Sequence, residues 1–363
     1  MTLPTGSGPV LDTVLALPRE AGTPASGEAR RLLTEELERL GYEVEVLRFA
    51  FSPRALAGLP IFGAGLGWLA VLQVPLLLIP DVASWAASLV WLIGFTSLIV
   101  VATGVSLGWG PGGAPREDAT LIARRPGGDV RRWIVAHTDT KAQGHSMAGR
   151  LVAVWTSILG LLVMTGMAVA RLGGPLPVAA VAGAAGLLLA AGVLAGRGKL
   201  RGHTVGARDN GSGIVAALMA AEVSIEPSTG ILLTGAEEFG LVGARILAAE
   251  RPDLIRGREC INIDTVDERG SLSLVSHDAA GHRLAARLEP LLAVPDVPVR
   301  HRRLPLGIFV DSYPLARAGG VALTIGRLDW STLKRLHTPE DTREGLSFET
   351  AIRVGRLIGG WKG

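Results

Sequence analysis

Two long stretches with almost no charge constrain this chain more than any other feature. Between Arg54 and Arg116 the only charged side chain is Asp81, and between Arg150 and Arg197 the only one is Arg171. A bilayer core about 30 Å thick takes about 20 apolar residues per helix, so each stretch is long enough to cross twice. The sequence predicts spans near Ala57 to Ile79, Ala83 to Leu107, Leu151 to Ala170 and Leu176 to Ala195, forming two helical hairpins. A mean hydropathy of +0.37, with 48% hydrophobic residues, is too apolar for an ordinary soluble chain of this length. A buried soluble helix pair could imitate one hairpin, but four spans so poor in charge read as an integral membrane protein. Gly63 with Gly67, and Gly192 with Gly196, have the small-xxx-small spacing that lets membrane helices approach closely.

The hairpins, at 55–110 and 151–196, divide a hydrophilic domain into three parts, 1–54, 111–150 and 197–363. Arg48, Arg54, Arg116, Lys141, Arg150, Arg197, Lys199 and Arg201 flank the outer ends of the hairpins, whereas the short loops inside them hold only Asp81 and Arg171. By the positive-inside rule both termini and the hydrophilic domain are expected in the cytoplasm. Met1 to Glu20 lacks a basic segment followed by an apolar one, so no cleaved signal peptide is expected. The single cysteine, Cys260, has no partner for an intramolecular disulfide and sits in an apolar strand, in keeping with a reducing compartment. The formal net charge of +3 is small and its basic residues gather beside the hairpins; no nucleic-acid motif is present.

Outside the hairpins, strand and helix patterns alternate. Helices are predicted over Ser26 to Leu40 with Ser26 as cap, Ile214 to Val223, Leu241 to Glu250, Ala279 to Leu292 and Phe348 to Trp361. Strands are predicted over Tyr42 to Phe51, Ala119 to Ala123, Trp133 to Ala136, Gly230 to Thr234, Glu259 to Ile263, Ser271 to Val275 and Val321 to Ile325. This alternation favours an α/β fold, a three-layer α/β/α sandwich on a mixed sheet, with ligand groups gathered at strand ends.

Those strand ends carry His137 and Asp139, Asp209, the adjacent pair Glu237 and Glu238, Asp264, and His337. Neighbouring carboxylates resist simultaneous ionisation unless a cation or proton lies between them, so one Glu of the pair suits metal binding and the other proton transfer. Imidazole with carboxylate suits zinc, and two ions a few ångströms apart need a bridging carboxylate with flanking ligands for each. Taken singly, each residue has a plainer reading: a solvated acidic turn, or a core or capping histidine. Their joint placement is what points to a metal centre.

The ordered set His137-Thr138-Asp139, Asp209-Asn210-Gly211-Ser212-Gly213, Glu237-Glu238-Phe239-Gly240-Leu241-Val242-Gly243, Asp264 and His337 resembles the M28 zinc-dependent aminopeptidases. The resemblance covers roughly residues 10–54, 117–140 and 203–363, and leaves the hairpins outside. It implies two Zn2+ ions, with Asp209 bridging both, His137 and Asp264 completing one position, and Glu238 and His337 the other. It implies Glu237 as general base, Asp139 as the acid that orients the His137 imidazole, and a cis peptide after Asp209. M20 metallohydrolases use a similar ligand list, but the run after Asp209 and the short stretch from Asp264 to His337, which leaves no room for their extra lid domain, disfavour them. The implied function is membrane-anchored hydrolysis of N-terminal residues from small peptides. An amidase acting on N-acyl amino acids or lipid amides is the alternative, and a catalytically silent binding module a third reading. The partners so implied are a peptide or small amide substrate and the lipid bilayer; oligomeric state is not legible.

Overall fold

Side chains that alternate along each central strand enter two separate cores, and this makes the fold three-layered. A computed structural model describes residues 6–106, 114–293 and 297–362; Leu107, the last residue of the second predicted span, lies outside them. The described residues contain eight strands: β1 (Glu43–Phe51), β2 (Arg116–Arg124), β3 (Arg132–His137), β4 (Thr229–Thr234), β5 (Glu259–Val266), β6 (Ser271–Ser276), β7 (Val299–Arg302) and β8 (Val321–Leu328). They form one mixed sheet in the order β1-β2-β4-β3-β5-β8-β6-β7. Strands β4, β3, β5 and β8 run parallel through its centre, β1 pairs antiparallel with β2, β2 with β4 and β6 with β8, and the outermost pair β6 and β7 is parallel.

On one face Ile134, Ile231, Ile261 and Leu323 pack with Leu33 and Leu37 of the helix Pro24–Arg39, with the helix Ser212–Val223, and with Leu284 and Leu288 of the helix Ala279–Leu292. On the other, Trp133, Leu232, Cys260 and Ala322 pack with Leu247 of the helix Val242–Glu250 and Leu315 of the helix Ser312–Arg317. Helix Ser212–Val223 is apolar nearly all round because the C-terminal helix Glu349–Gly359 covers its outer side. The cover is close: a Cβ on Gly355 would lie 2.2 Å from the Ala216 carbonyl oxygen.

One local expectation is corrected. The helix expected from Ser26 begins at Pro24, and its cap is Thr23, whose Oγ1 accepts from the Ser26 N–H. Proline at the first helical position is preorganised for this start. Strand β7, Val-Arg-His-Arg, lies outermost in the sheet and has three polar residues in four, so no apolar alternation marks it.

The chain divides into two units: residues 1–51, 115–142 and 202–363 carry the sheet, and residues 52–114 and 143–201 form the second. The second unit holds the helices Gly58–Leu78, Ser84–Ser106, Met147–Ala170 and Val178–Gly196. Among the described residues, four helices are long and apolar enough to cross a membrane. Helices Gly58–Leu78 and Val178–Gly196 approach through glycine: a Cβ on Gly63 would lie 2.5 Å from the Gly192 carbonyl oxygen. Two polar side chains inside the spans bond to neighbouring helices and loops. Trp91 Nε1 donates to Thr165 Oγ1 at 2.9 Å, and Arg171 donates to the Ile79 and Val82 carbonyls at 3.1 and 3.2 Å. Large apolar side chains such as Trp68, Leu92 and Leu162 point outward and are mostly exposed.

Candidate metal centre

Asp209 stands between two imidazoles. Its Oδ1 is 3.1 Å from His137 Nε2 and its Oδ2 is 3.2 Å from His337 Nε2. His137 ends β3, while Asp209 lies in an irregular turn just before helix Ser212–Val223. Asp264 lies inside β5, at a break in its register with β8 between Ile263 and Val266; an extra residue there redirects a side chain. Glu237 and Glu238 follow β4, and His337 follows the short helix Trp330–Leu333.

Two overlapping groups of ligand atoms result, His137 with Asp209 and Asp264, and Asp209 with Glu238 and His337; within each, the atoms lie within 4.8 Å of one another. Glu237 Oε2 is 3.9 Å from His137 Nε2. Residues widely separated in the chain thus meet at one end of the parallel strands, where open α/β sheets hold ligands.

The surrounding backbone is tied down. Asp341 receives both Arg208 N–H at 2.9 Å and Asp209 N–H at 3.0 Å on its two carboxylate oxygens. Asn210 donates to the Ile263 carbonyl at 2.9 Å and accepts from Thr265 N–H at 3.2 Å, locking the turn to β5. The peptide between Asp209 and Asn210 is cis, as the resemblance implied. Arg19, buried without exposure, donates to the carbonyls of Thr138 at 2.9 Å, Val205 at 2.8 Å and Gly206 at 3.1 Å. One guanidinium therefore joins the segment after His137 to the segment before Asp209. Burial lowers its pKa to about 10, which keeps it a cation at neutral pH.

Asp139, expected to orient the His137 imidazole, meets the ring through its backbone. Its Oδ1 is 3.6 Å from His137 Nδ1, which donates instead to the Asp139 backbone carbonyl at 3.1 Å. The carboxylate is engaged elsewhere, accepting the N–H groups of Glu237 at 2.9 Å and Glu238 at 3.1 Å. The carbonyl can only accept, so the Nδ1 proton points to it and Nε2 keeps its lone pair for the site.

Electrostatics separate the two adjacent glutamates. Burial holds Glu237 well above the ordinary carboxylate range, against the pull of His137 and with Glu238 adding to the rise. Glu238 is pushed down to about 2: burial opposes this, but His337 and Lys141 favour its charged form. Asp209 is likewise held below its usual value: burial opposes this, but the imidazoles of His137 and His337 beside it favour its charged form. The two neighbouring glutamates are thus set apart in proton affinity, one held high and the other low.

The donor set fits metal. Glu238 Oε1 and both ring nitrogens of His337 are buried and make no hydrogen bond, although His337 Nε2 is 3.3 Å from Glu238 Oε2. Buried polar atoms without partners are costly, and an ion in the group that Asp209, Glu238 and His337 form would take one ligand atom from each. Imidazoles and carboxylates together match zinc.

Three further residues escaped sequence reasoning. Asp311, fully buried, accepts from Thr234 Oγ1, leaves Oδ1 without a partner, and is pushed up to about 7 by burial. Asp341 was visible only as an acid in the run beginning at His337, and Lys141 only as one of the basic residues beside a hairpin. None of these positions has a periodic signal that would mark it.

Residues 190–361 match the family model for peptidase family M28. The chain carries a peptidase family M28 domain. It is accordingly an enzyme of metallopeptidase type. The matched stretch contains Asp209, Glu237, Glu238, Asp264 and His337; His137 and Asp139 precede it and join the site through the fold. No curated protein matches the sequence. Among solved structures, this chain resembles a zinc aminopeptidase from Bacillus subtilis with 15% identity and TM-score 0.57, covering 99% of this chain and 95% of that one. An aminopeptidase from Aneurinibacillus sp. strain AM-1 gives 15% identity and TM-score 0.56, over 97% and 91%. The glutaminyl cyclase of Fimbriiglobus ruber gives 15% and 0.56, over 99% and 96%. At such identity the likeness establishes the shared fold.

Proposed function

We propose that the chain is a membrane-anchored aminopeptidase that holds two zinc ions and hydrolyses N-terminal residues from small peptides. The observation that carries this reading is Asp209, whose two oxygens each face a different imidazole, with Glu237 beside them. His137, Asp209 and Asp264 would hold one ion, and Asp209, Glu238 and His337 the other. Bound zinc supplies Lewis acidity, lowering the pKa of water and polarising a carbonyl. Glu237, buried and not a member of either ligand group, takes the proton of the attacking water and delivers it to the departing amine. Asp139 fixes the backbone of both glutamates, so the base and its neighbour keep their relative positions.

The four long apolar helices support anchoring in a bilayer, and the basic residues at their outer ends support a cytoplasmic location for both termini and the catalytic domain. The test is substrate profiling of the full chain in detergent with zinc, on a peptide library, N-acyl amino acids and peptides beginning with glutamine. Release of N-terminal amino acids that disappears in Glu237→Gln upholds the reading. Fatty acid or acetate release alone would make the enzyme an amidase, and ammonia release with ring closure a cyclase.

A further inference from the structure

Lys141 is the one cation bonded to a carboxylate of the two ligand groups among the described residues. Its Nζ donates to Glu238 Oε2 at 2.6 Å and reaches the Glu238 backbone carbonyl at 3.4 Å. Both side chains are almost entirely buried, so solvent does little to screen the ammonium. The oxygen it occupies is the one facing His337 Nε2, whereas Glu238 Oε1 is left without a partner. The other group is built differently: Asp264 and Asp209 face His137, and no lysine or arginine pairs with either carboxylate among the described residues.

Resting on the two-ion reading, we infer that Lys141 makes the two metal positions unequal. The position formed by His137, Asp209 and Asp264 fills first. The position formed by Asp209, Glu238 and His337 binds a divalent ion more weakly, because a fixed positive charge is bonded to one of its ligands. Like charges a few ångströms apart in a poorly screened interior repel strongly, by far more than the amount that separates tenfold in affinity. The lysine also holds Oε2, so Glu238 offers the ion one oxygen, Oε1. The second position is therefore loaded only at higher free metal, and the enzyme passes through a one-ion state.

The experiment titrates Zn2+ into the metal-stripped full chain in detergent, in competition with a chromogenic chelator, for wild type, Lys141→Met and Lys141→Arg. Wild type is expected to show two unequal dissociation constants. Lys141→Met, similar in length and uncharged, should tighten the weaker one by about tenfold or more and leave the tighter one unchanged, whereas Lys141→Arg should resemble wild type. Cobalt absorption spectra give a second readout, since the spectrum of the second ion added should appear at lower cobalt in Lys141→Met. Equal constants in wild type overturn the inference without any variant. So do constants unmoved in a folded Lys141→Met, and so does loss of the weaker site there, which would make the lysine a support for Glu238. Wild type that binds no zinc at all would instead defeat the two-ion reading itself.

Discussion

Asp139 and Glu237 are joined by a 2.9 Å hydrogen bond from the Glu237 N–H to Asp139 Oδ1, and the second oxygen of the same carboxylate receives the Glu238 N–H. The turn that carries Glu237, the proposed base, is thus shaped by an acid on a different strand end. In Asp139→Asn the amide nitrogen must face one of these N–H groups, leaving a buried donor without an acceptor. Zinc affinity and turnover should each fall by about 10- to 100-fold while the protein stays folded. Chelator competition and steady-state rates check this, and unchanged values in the variant would count against the positioning role.

Glu237→Gln removes the proton acceptor and keeps the shape of the side chain. Turnover should fall by about 10² to 10⁴, the usual contribution of a general base. Zinc content should remain near wild type, because Glu237 belongs to neither ligand group. Elemental analysis beside the rate measurement separates this from Asp209→Ala, which should lose both metal and activity. Full turnover in Glu237→Gln would end the assignment.

Metal removal should also be visible without substrate. Asp209, Glu238 and Asp264 crowd their oxygens around two imidazoles, and an ion held there stabilises the folded chain by mass action. At free zinc 100 times the dissociation constant, each site contributes about 2.7 kcal/mol. Stripping with a chelator should lower the thermal midpoint in detergent, and added zinc should restore it. A midpoint indifferent to both would argue against these residues as ligands.

Much of the sheet was legible because its central strands are apolar on both faces: Ile231-Leu232-Leu233 and Trp133-Ile134-Val135 read as strands in sequence and send alternate residues into two cores. The charge of Arg150 places the expected start of the third span at Leu151. The helix begins at Met147, because Ser146 accepts from the Gly149 N–H and an arginine in a first turn is no obstacle. The polar residues were harder to read. The sequence places Asp139 two positions after His137 but cannot say that its carboxylate reaches across to the glutamate backbone. The roles of Arg19, Lys141 and Asp341 depend on partners that lie 97 to 187 positions away, and no local pattern records such pairings.

Arg19→Met should show how strongly that long-range tie matters. The variant leaves the carbonyls of Thr138 and Val205 without the guanidinium donor, at about 1 to 3 kcal/mol for each group so orphaned, whereas Gly206 keeps its bond from the Gly211 N–H. The thermal midpoint should drop markedly, and zinc binding should weaken because both His137 and Asp209 adjoin the loosened segments. Proteolysis near Val205 in the zinc-free variant gives a local check, and wild-type protection there would refute the tie.

The small-residue spacing in the hairpins gives the last prediction, which concerns the second unit alone. Gly63 and Gly192 bring the helices Gly58–Leu78 and Val178–Gly196 so close that a Cβ on Gly63 would lie 2.5 Å from the Gly192 carbonyl oxygen, and a Cβ on Gly192 would lie 2.6 Å from that of Gly63. These are contacts to backbone, which no change of rotamer can relieve. A larger side chain at either position must push the helices apart, at a cost of about 1 to 3 kcal/mol for overpacking and with loss of the van der Waals contact that holds membrane helices together. Gly63→Leu and Gly192→Leu should each lower the thermal midpoint in detergent, and the double variant should cost less than the sum of the two, because one separation relieves both clashes. Gly183→Leu, at a position where an added Cβ meets nothing within 4 Å, is the control and should behave as wild type. Equal effects at all three positions would mean that the glycines at 63 and 192 do not set the packing of these helices.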